Sequence, residues 1–229
     1  MGDEGATAAG AAAASAAEIA FIAGLTDREI NRLVDEKVLR APLVERDDGR
    51  RFAPLTAPFA TFYFGASDNL TRAARVNVIE TLTQRLLDRP DVESLLTLRS
   101  GTLHDFDWSV QFDAALTVVL TQYVEAACQR VGRVSRASRH ITEDPDVLGG
   151  APCFAGTRVS VANVLAAKQG MSIESLRAAW PFLTAQLLED AEVYMKAHPR
   201  PGRPRKLDEA ASNAIVVSRK AVRRVKRTA

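Results

Sequence analysis

The stretch from residue 140 to 161 constrains the fold most, because its prolines and glycines interrupt any helix at this point of the chain. Asp144-Pro145-Asp146 begins a turn, and Gly149-Gly150 permits a backbone with positive φ. Residues 152–154 and 158–159 are predicted as two very short strands around a turn at 155–157. A small hairpin with glycine turns is therefore expected here.

Three short helices are predicted directly after this hairpin. The first covers residues 161–169 and ends at Gly170, a common stop residue. Ser172 caps the second, which Pro181 prevents from continuing, and Thr184 caps the third, which extends through Lys196. These three helices have the dimensions of a helix-turn-helix.

A second helix-turn-helix pattern lies near the start of the chain. Apolar residues with helical spacing begin at Ala16 and stop at Gly24-Leu25. Thr26 to Glu29 then reads as a capping box, in which the threonine hydroxyl and the glutamate carboxylate each accept a backbone N–H at the helix start. Helix, short turn and capped helix together predict a helix-turn-helix.

A short hairpin follows this unit. Residues 43–46 and 50–52 flank Asp47-Asp48-Gly49, and Asp-Gly between two short segments favours a hairpin turn. The segment from Ile19 to Leu55 resembles the winged-helix head of MerR-type regulators, in its Gly24-Leu25-Thr26 turn, its helix end at Val38-Leu39 and its wing at residues 49–52. It departs from that family at Val38, where the family usually has glycine.

The resemblance implies that the second helix reads DNA in the major groove. Arg28, Asn31 and Arg32 lie away from the predicted apolar face, and arginine and asparagine can pair with guanine and adenine by two hydrogen bonds each. Arg50 and Arg51 on the wing are expected to contact phosphates. Asp27, Asp47 and Asp48 count against DNA binding, because carboxylates repel phosphates; the alternative is a purely structural helical hairpin.

The middle of the chain, residues 66–136, is expected to be connecting structure and a candidate dimer surface. Helical periodicity covers residues 70–87 and 114–131, and short strands are predicted at 95–98 and 108–112. The aromatic cluster at residues 59–64 is interpreted as core, and His104 as a turn residue without a metal partner.

Charge is distributed unevenly. The formal net charge is +2. Residues 196–229 nevertheless hold eleven basic and two acidic residues, so the rest of the chain is mildly acidic. Such a tail is typical of binding to nucleic acid or to an acidic protein surface, and a solvated tail is the alternative. The candidate binding residues of the tail are Arg200, Arg203, Arg205, Lys206, Arg219, Arg223 and Arg224.

The pattern Asp-Pro-x-x-x-Gly-Gly-x-Pro-x-x-x-Gly-Thr-Arg-Val, then Gly-Met-Ser and Trp-Pro-x-Leu-Thr, closely resembles the VapB-like antitoxin family over residues 141–196. That resemblance implies one half of a toxin–antitoxin pair whose toxin is a PIN-like ribonuclease. The motif residues are interpreted as structural, with Arg158 as an anchor for a carboxylate or carbonyl. They are Asp144, Pro145, Gly149, Gly150, Pro152, Gly156, Thr157 and Arg158.

The basic tail offers two further patterns. Prolines keep residues 198–206 extended, and Gly202-Arg203-Pro204 resembles an AT-hook, which fits the minor groove of A·T-rich DNA; a plain basic linker is the alternative. From Leu207 an amphipathic helix is expected to form on binding. The hypothesis is that it places a cationic side chain in the acidic metal site of the toxin.

Several function classes are disfavoured. Glu143, Asp144 and Asp146 are close in sequence and could attract Mg²⁺, but no nucleophile, paired histidine base or phosphate-binding glycine loop accompanies them. Cys128 and Cys153 have no zinc spacing, and no apolar run has the length of a membrane span. We therefore expect a cytoplasmic protein that is not an enzyme and has no cofactor, metal or membrane contact.

The predicted fold class is mainly α (α+β). The expected domains are a disordered start at 1–15, a winged helix-turn-helix at 16–65, the connecting region at 66–136, the antitoxin-like domain at 137–197 and the basic tail at 198–229. The predicted function is that of a homodimeric antitoxin which neutralises its toxin and represses its own operon through operator DNA. The alternative is a stand-alone transcriptional regulator or architectural DNA-binding protein.

Overall fold

The computed structural model describes residues 14–46, 49–98, 103–112 and 116–200. Within these ranges the chain is mainly helical with short antiparallel strand pairs, which confirms the predicted fold class. The helices are α1 Ala16–Ala23, α2 Asp27–Asp35, α3 Thr56–Gly65, α4 Arg72–Leu87, α5 Val92–Leu96, α6 Thr121–His140, α7 Val161–Lys168, α8 Ile173–Ala179 and α9 Ala185–Ala197. The strands pair as β1 Val44–Glu45 with β2 Arg51–Phe52, β3 Ser109–Gln111 with β4 Thr117–Val119, and β5 Ile141–Thr142 with β6 Cys153–Phe154.

The helix pair at the front forms as its capping residues predict. Ser15 accepts the backbone N–H of Glu18 at the start of α1, and Gly24 ends this helix with φ of 72°. At the start of α2, Thr26 Oγ1 accepts from the Glu29 N–H at 3.3 Å, and Glu29 Oε2 accepts from the Thr26 N–H at 2.8 Å. The predicted capping box is confirmed.

The wing hairpin is also present, but it has a third participant. Val44 pairs with Phe52 and Glu45 with Arg51, as the Asp-Gly turn predicts. Ala14 pairs with Phe52 from the other side, with N–H···O distances of 3.1 and 3.0 Å, and is itself buried. The expected disorder of residues 1–15 is therefore wrong for Ala14 and Ser15, because this strand contact and the α1 cap order them; residues 1–13 lie outside the described ranges.

The middle of the chain differs from prediction at two places. Residues 95–98, expected as a strand, contain the end of helix α5, because a short apolar run buried against α4 does not distinguish strand from helix. The helix expected over 114–131 begins at Thr121 and reaches His140, because Thr117–Val119 pairs with β3. The helix at 70–87 and the strand within 108–112 are confirmed as α4 and β3. The aromatic residues 59–64 lie on α3, which buries Phe59, Phe62 and Tyr63.

The rear of the fold is a small hairpin and three helices. β6 pairs with β5, so the strand expected at 158–159 is wrong as the main partner. Val159 still contributes, since its carbonyl accepts the Phe154 N–H at 3.1 Å. The predicted caps hold: Ser172 accepts from the Ser175 N–H and Thr184 from the Leu187 N–H, and α7, α8 and α9 follow within one residue of their expected ends.

Two hydrophobic clusters fill the interior, and α9 contributes to both. The first cluster contains residues of the front elements and of the middle elements, so it spans the domain boundary expected at residue 65. Val193 and Ala197 of α9 also belong to it. Leu188 and Ala191 of the same helix belong to the second cluster, with Phe154, Val161 and Leu176. The described part of residues 1–199 therefore forms a single compact unit. Among the described helices, none has both the length and the apolar character that crossing a bilayer requires.

Candidate nucleic-acid interface and partner surface

The position of α2 is set by the turn that precedes it. Gly24 adopts a left-handed conformation, and a β-carbon there would lie 3.1 Å from Arg130 Nη1. The same guanidinium nitrogen donates to the Ile22 carbonyl at 2.8 Å. Arg130 of α6 thus caps the free end of α1 and fixes the direction in which the chain enters α2.

The two faces of α2 separate as the sequence predicts. Ile30, Leu33 and Val34 are buried on one side. Arg28 and Arg32 are exposed on the other, and Asn31 is half-buried between them. The side chains expected to read bases are therefore away from the core.

The wing arginine Arg50 returns to α2 instead of extending freely. Its Nη2 lies 2.6 Å from Asp35 Oδ1, and its Nη1 donates to Asn31 Oδ1 at 2.9 Å. The amide nitrogen of Asn31 donates to the Asp27 carbonyl at 2.9 Å. Both polar ends of Asn31 are thus engaged within the protein, and the wing is tied to the helix that it accompanies.

Arg32 has an acidic partner as well. Its Nε lies 2.5 Å from Glu36 Oε1 although 62% of the arginine side chain is exposed. The hydrogen bond from Arg32 holds the pKa of Glu36 below its ordinary value, and the hydroxyl of Tyr63 donates to the same carboxylate at 3.1 Å. Arg72 of α4 donates to the Glu36 carbonyl. Sequence reasoning missed Asp35 and Glu36, which neutralise Arg50 and Arg32; only the i,i+4 spacing of Arg32 and Glu36 signalled the second pair.

Two of the five predicted DNA-contacting residues remain free cations. Arg28 and Arg51 are exposed, and the guanidinium group of neither makes a hydrogen bond or ion pair with any residue in the described ranges. Asp27 lies next to Arg28, at the start of the same helix. The surface therefore presents isolated positive charges among carboxylates. Asp47 and Asp48, which were expected to oppose DNA binding, lie outside the described residues.

The glycine-rich loop of the rear hairpin has an unusual backbone. Leu148, Gly149 and Gly150 are consecutive left-handed residues, with φ of 49°, 62° and 76°. The N–H groups of Val147 and Gly150 donate to the Asp144 carbonyl, and Asp144 Oδ1 accepts from the Asp146 N–H at 2.9 Å. Leu148 has a β-carbon and is therefore strained in this left-handed conformation. Its side chain is nevertheless 58% exposed.

The rest of the motif divides into local structure and one free charge. Thr157 Oγ1 donates to the Phe154 carbonyl at 2.9 Å and accepts from the Val159 N–H at 3.1 Å, which closes the turn at Gly156. Pro152 is buried. Arg158 was expected to anchor a carboxylate or carbonyl, but it is exposed and pairs with no described residue. The guanidinium group of Arg158 is therefore available to another molecule.

Apolar side chains are exposed in the same part of the chain. Besides Leu148, Met171 and Ile173 at the turn between α7 and α8 are 40% and 43% exposed. The carboxylates Glu143, Asp144 and Asp146 do not converge, and no group of three or more His, Cys, Asp or Glu side chains in the described ranges is placed to hold a metal ion.

A buried carboxylate joins this rear part to α6. Asp190 of α9 is fully buried and accepts from Arg136 Nε at 3.0 Å and from Gln186 Nε2 at 3.1 Å. His140 Nδ1 lies 2.7 Å from its other oxygen. Burial alone would raise the pKa of Asp190, but the hydrogen bonds from Arg136, His140 and Gln186 hold it below its ordinary value.

Most of the tail lies outside the described residues, which end at Arg200. The AT-hook-like segment and the amphipathic helix therefore stay predictions from the sequence. The same holds for the binding roles of Arg203, Arg205, Lys206, Arg219, Arg223 and Arg224.

Two comparisons with known proteins give matches, one to the rear domain and one to nearly the whole chain. Residues 141–195 match the family described as "Protein of unknown function (DUF433)". The chain is 32% identical over 214 residues to the uncharacterized protein y4eO of Sinorhizobium fredii, across 93% of this chain and 94% of that relative. No solved structure matches the chain. Because the likeness to y4eO runs from the front helices through the rear domain, the chain belongs to the same protein family as y4eO, with a DUF433 domain at residues 141–195.

Proposed function

We propose that the protein is a DNA-binding antitoxin: its front half binds operator DNA and represses its own operon, and its DUF433 domain and tail neutralise a PIN-like ribonuclease. The observation that carries the DNA-binding half is the helix–turn–helix with an adjoining hairpin that leaves Arg28 and Arg51 as free cations on neighbouring elements. A helix-turn-helix contacts bases mainly through the first residues of its second helix, which is where Arg28 lies.

The paired arginines differ from the free ones in what contact with DNA would require of them. Arg50 and Arg32 are already balanced by Asp35 and Glu36, so approach to DNA exchanges a carboxylate partner for a phosphate. Arg28 and Arg51 have no carboxylate partner in the described ranges that they would have to give up before contacting DNA. Base contact by Arg28 and phosphate contact by Arg51 are therefore the contributions with the lowest cost, and a homodimer would place two such units on two half-sites.

The DNA-binding half is tested by fluorescence anisotropy with the DNA upstream of the protein's own reading frame and with a scrambled duplex. We expect Arg28→Ala to reduce the preference for the specific duplex by about tenfold, which is the cost of losing one bidentate base contact. Arg51→Ala should weaken binding to both duplexes and lower the salt slope by about one unit. Arg139→Ala is the matched control, because Arg139 is also exposed and unpaired within the described ranges but lies at the far end of α6. Equal losses in all three variants would contradict the proposal.

The antitoxin half is supported by different residues. Leu148, Met171 and Ile173 are exposed apolar side chains, and Arg158 is an exposed cation without a described partner. Apolar contacts with an arginine are common in the central parts of protein interfaces. The strongly basic tail adds a candidate inhibitor of an acidic nuclease site.

The antitoxin half is tested by co-expression with a PIN-like ribonuclease encoded beside the protein. The full chain should restore growth, whereas a chain ending at Arg200 should bind without neutralising, because the cationic helix proposed to enter the metal site is missing. The double variant L148D/R158E should lose binding itself, and Glu143→Gln serves as its control. Neutralisation by the chain ending at Arg200 would contradict the role of the tail.

A stand-alone DNA-binding regulator is the second candidate, because the helix-turn-helix and its wing lie on α1, α2, β1 and β2, which carry none of the exposed apolar residues proposed to bind the toxin. Recovery of specific DNA but no nuclease from the native host would select it.

A further inference from the structure

The described residues contain a cavity that neither half of the proposed function uses. It lies beside the first half of α6, below the 3₁₀ turn Leu103–Asp105 and the start of β3, and has a volume of about 550 Å³. Cavities of a few hundred to a thousand Å³ are typical of small-molecule sites.

Small parts of two aromatic rings form its floor, because Phe106 and Trp108 line the cavity but are only 8% and 3% exposed. The centroids of Phe106 and Trp108 lie 4.4 Å apart, with their planes inclined by 54°. The indole Nε1 of Trp108 donates to the Leu103 carbonyl at 2.9 Å, so its polar group is satisfied inside the protein. Val124 of α6 completes the apolar lining. The floor is therefore apolar, presents only a small part of each ring to the cavity, and leaves the indole N–H of Trp108 paired.

The rim has the opposite character. His104, Glu125 and Gln129 line the cavity and are exposed. The side chains of these three residues make no hydrogen bond or ion pair with another residue in the described ranges. Polar side chains around an apolar floor are the arrangement that orients a small ligand.

The charge of the lining selects the ligand class. Glu125 is the single carboxylate among the described lining residues, and no lysine or arginine is among them. Burial raises the pKa of the Cys128 thiol, and its Sγ lies 3.5 Å from the Leu98 carbonyl, so this residue stays neutral. An anionic ligand would meet a carboxylate and no fixed positive charge.

We propose that this cavity binds a small planar aromatic molecule that carries a positive charge. Its ring contacts Val124 and the accessible parts of Phe106 and Trp108, and its cationic group pairs with Glu125 at the rim. The same helix carries Arg130, which caps α1, so the ligand contacts an element that supports the front of the fold.

Three probes of equal shape and different charge test the proposal: benzamidine, benzamide and benzoate. With the full chain, saturation-transfer NMR should show binding in the order benzamidine, benzamide, benzoate, with benzamidine at least about threefold tighter than benzamide, as expected for one partly exposed ion pair. In the Trp180→Phe variant Trp108 is the remaining tryptophan, and benzamidine should change its fluorescence.

Glu125→Gln keeps the shape of the rim and removes its charge. Benzamidine should then bind no better than benzamide, whereas Glu143→Gln, which neutralises an exposed carboxylate outside the cavity lining, should leave the order unchanged. Equal affinity for the three probes, no binding of benzamidine, or the same loss in both variants would overturn the proposal.

Discussion

Asp190 shows how one buried residue can connect two parts of the chain. Its carboxylate is fully buried between α6 and α9 and receives hydrogen bonds from Arg136, His140 and Gln186. A buried carboxylate is tolerated only with such partners, since an unpaired charge there would be strongly unfavourable.

We expect Asp190→Asn to lower the free energy of unfolding at neutral pH by about 2 kcal/mol, the contribution of hydrogen bonds between charged groups. The pKa of Asp190 is lowered in the folded protein, so its contribution is present above the unfolded pKa of about 3.9 and is lost as pH falls below it. Urea titrations at several pH values should show the difference between variant and wild type shrinking toward acid. Asp146→Asn, at an exposed position, is the control; a difference that does not change with pH would contradict the assignment.

Asp35 controls the charge available on the wing. It holds Arg50 at 2.6 Å and is 62% exposed. If the front half binds DNA as proposed, Asp35→Asn should raise affinity for duplexes of any sequence by about two- to fivefold at low salt, because one repulsive charge is removed and Arg50 becomes free for phosphate. Anisotropy titrations measure this, with Asp88→Asn at an exposed position on α4's C-terminal side as control. Unchanged or weaker non-specific binding would show that Asp35 serves only to position the wing.

At the scale of elements, the end of α2 departs from the rule that glycine takes left-handed positions. Lys37 has φ of 58°, and Val38 N–H then closes the turn to the Leu33 carbonyl at 2.9 Å. The residue under backbone strain is thus Lys37, one position before Val38, where the resemblance to MerR-type regulators had suggested a missing glycine. Val38 itself is buried and fits its place.

Lys37→Gly should therefore stabilise the protein by about 0.5–1 kcal/mol, because the left-handed conformation costs a lysine more than the added chain entropy costs glycine. Lys196→Gly inside α9 is the matched control, and it should destabilise by a similar amount. Chemical denaturation of both variants gives the comparison, and a loss of stability at position 37 would contradict this account of the strain.

At the scale of the whole molecule, α9 makes the two hydrophobic clusters interdependent. Val193 and Ala197 face the first cluster, and Leu188 and Ala191 the second. Ion pairs from α6 to α9, including Arg133 to Glu189 at 2.9 Å, reinforce this contact. If α9 leaves either cluster, apolar residues of both clusters become exposed.

We therefore expect a single cooperative unfolding transition. Trp108 is buried in the first cluster and Trp180 packs against the second, so the variants W180F and W108F each report on one of them. Urea midpoints from the two fluorescence curves should agree with each other and with far-UV circular dichroism after correction for the stability of each variant. Midpoints that still differ between the two corrected fluorescence curves would show that residues 141–195 unfold as an independent domain.

Local elements whose signals are carried by a few adjacent residues could be predicted from the amino-acid sequence. The capping box at Thr26, the caps at Ser172 and Thr184, the stop at Gly24 and the strand pairing of the wing were all predictable, because each depends on backbone groups within a few positions. The helical fold class followed from the same periodicities, and the exposed face of α2 followed from its buried one.

Which charges are free, and which parts of the chain share a core, depended on the packing of distant residues. The pairing of Arg50 with Asp35, of Arg130 with the Ile22 carbonyl and of Arg136 with Asp190 joins residues 15 to 108 positions apart, and no local pattern ranks such partners. The helix at residues 92–96 and the strand at 117–119 likewise depended on what lay beside them, because short apolar runs fit either structure until packing and strand pairing select one.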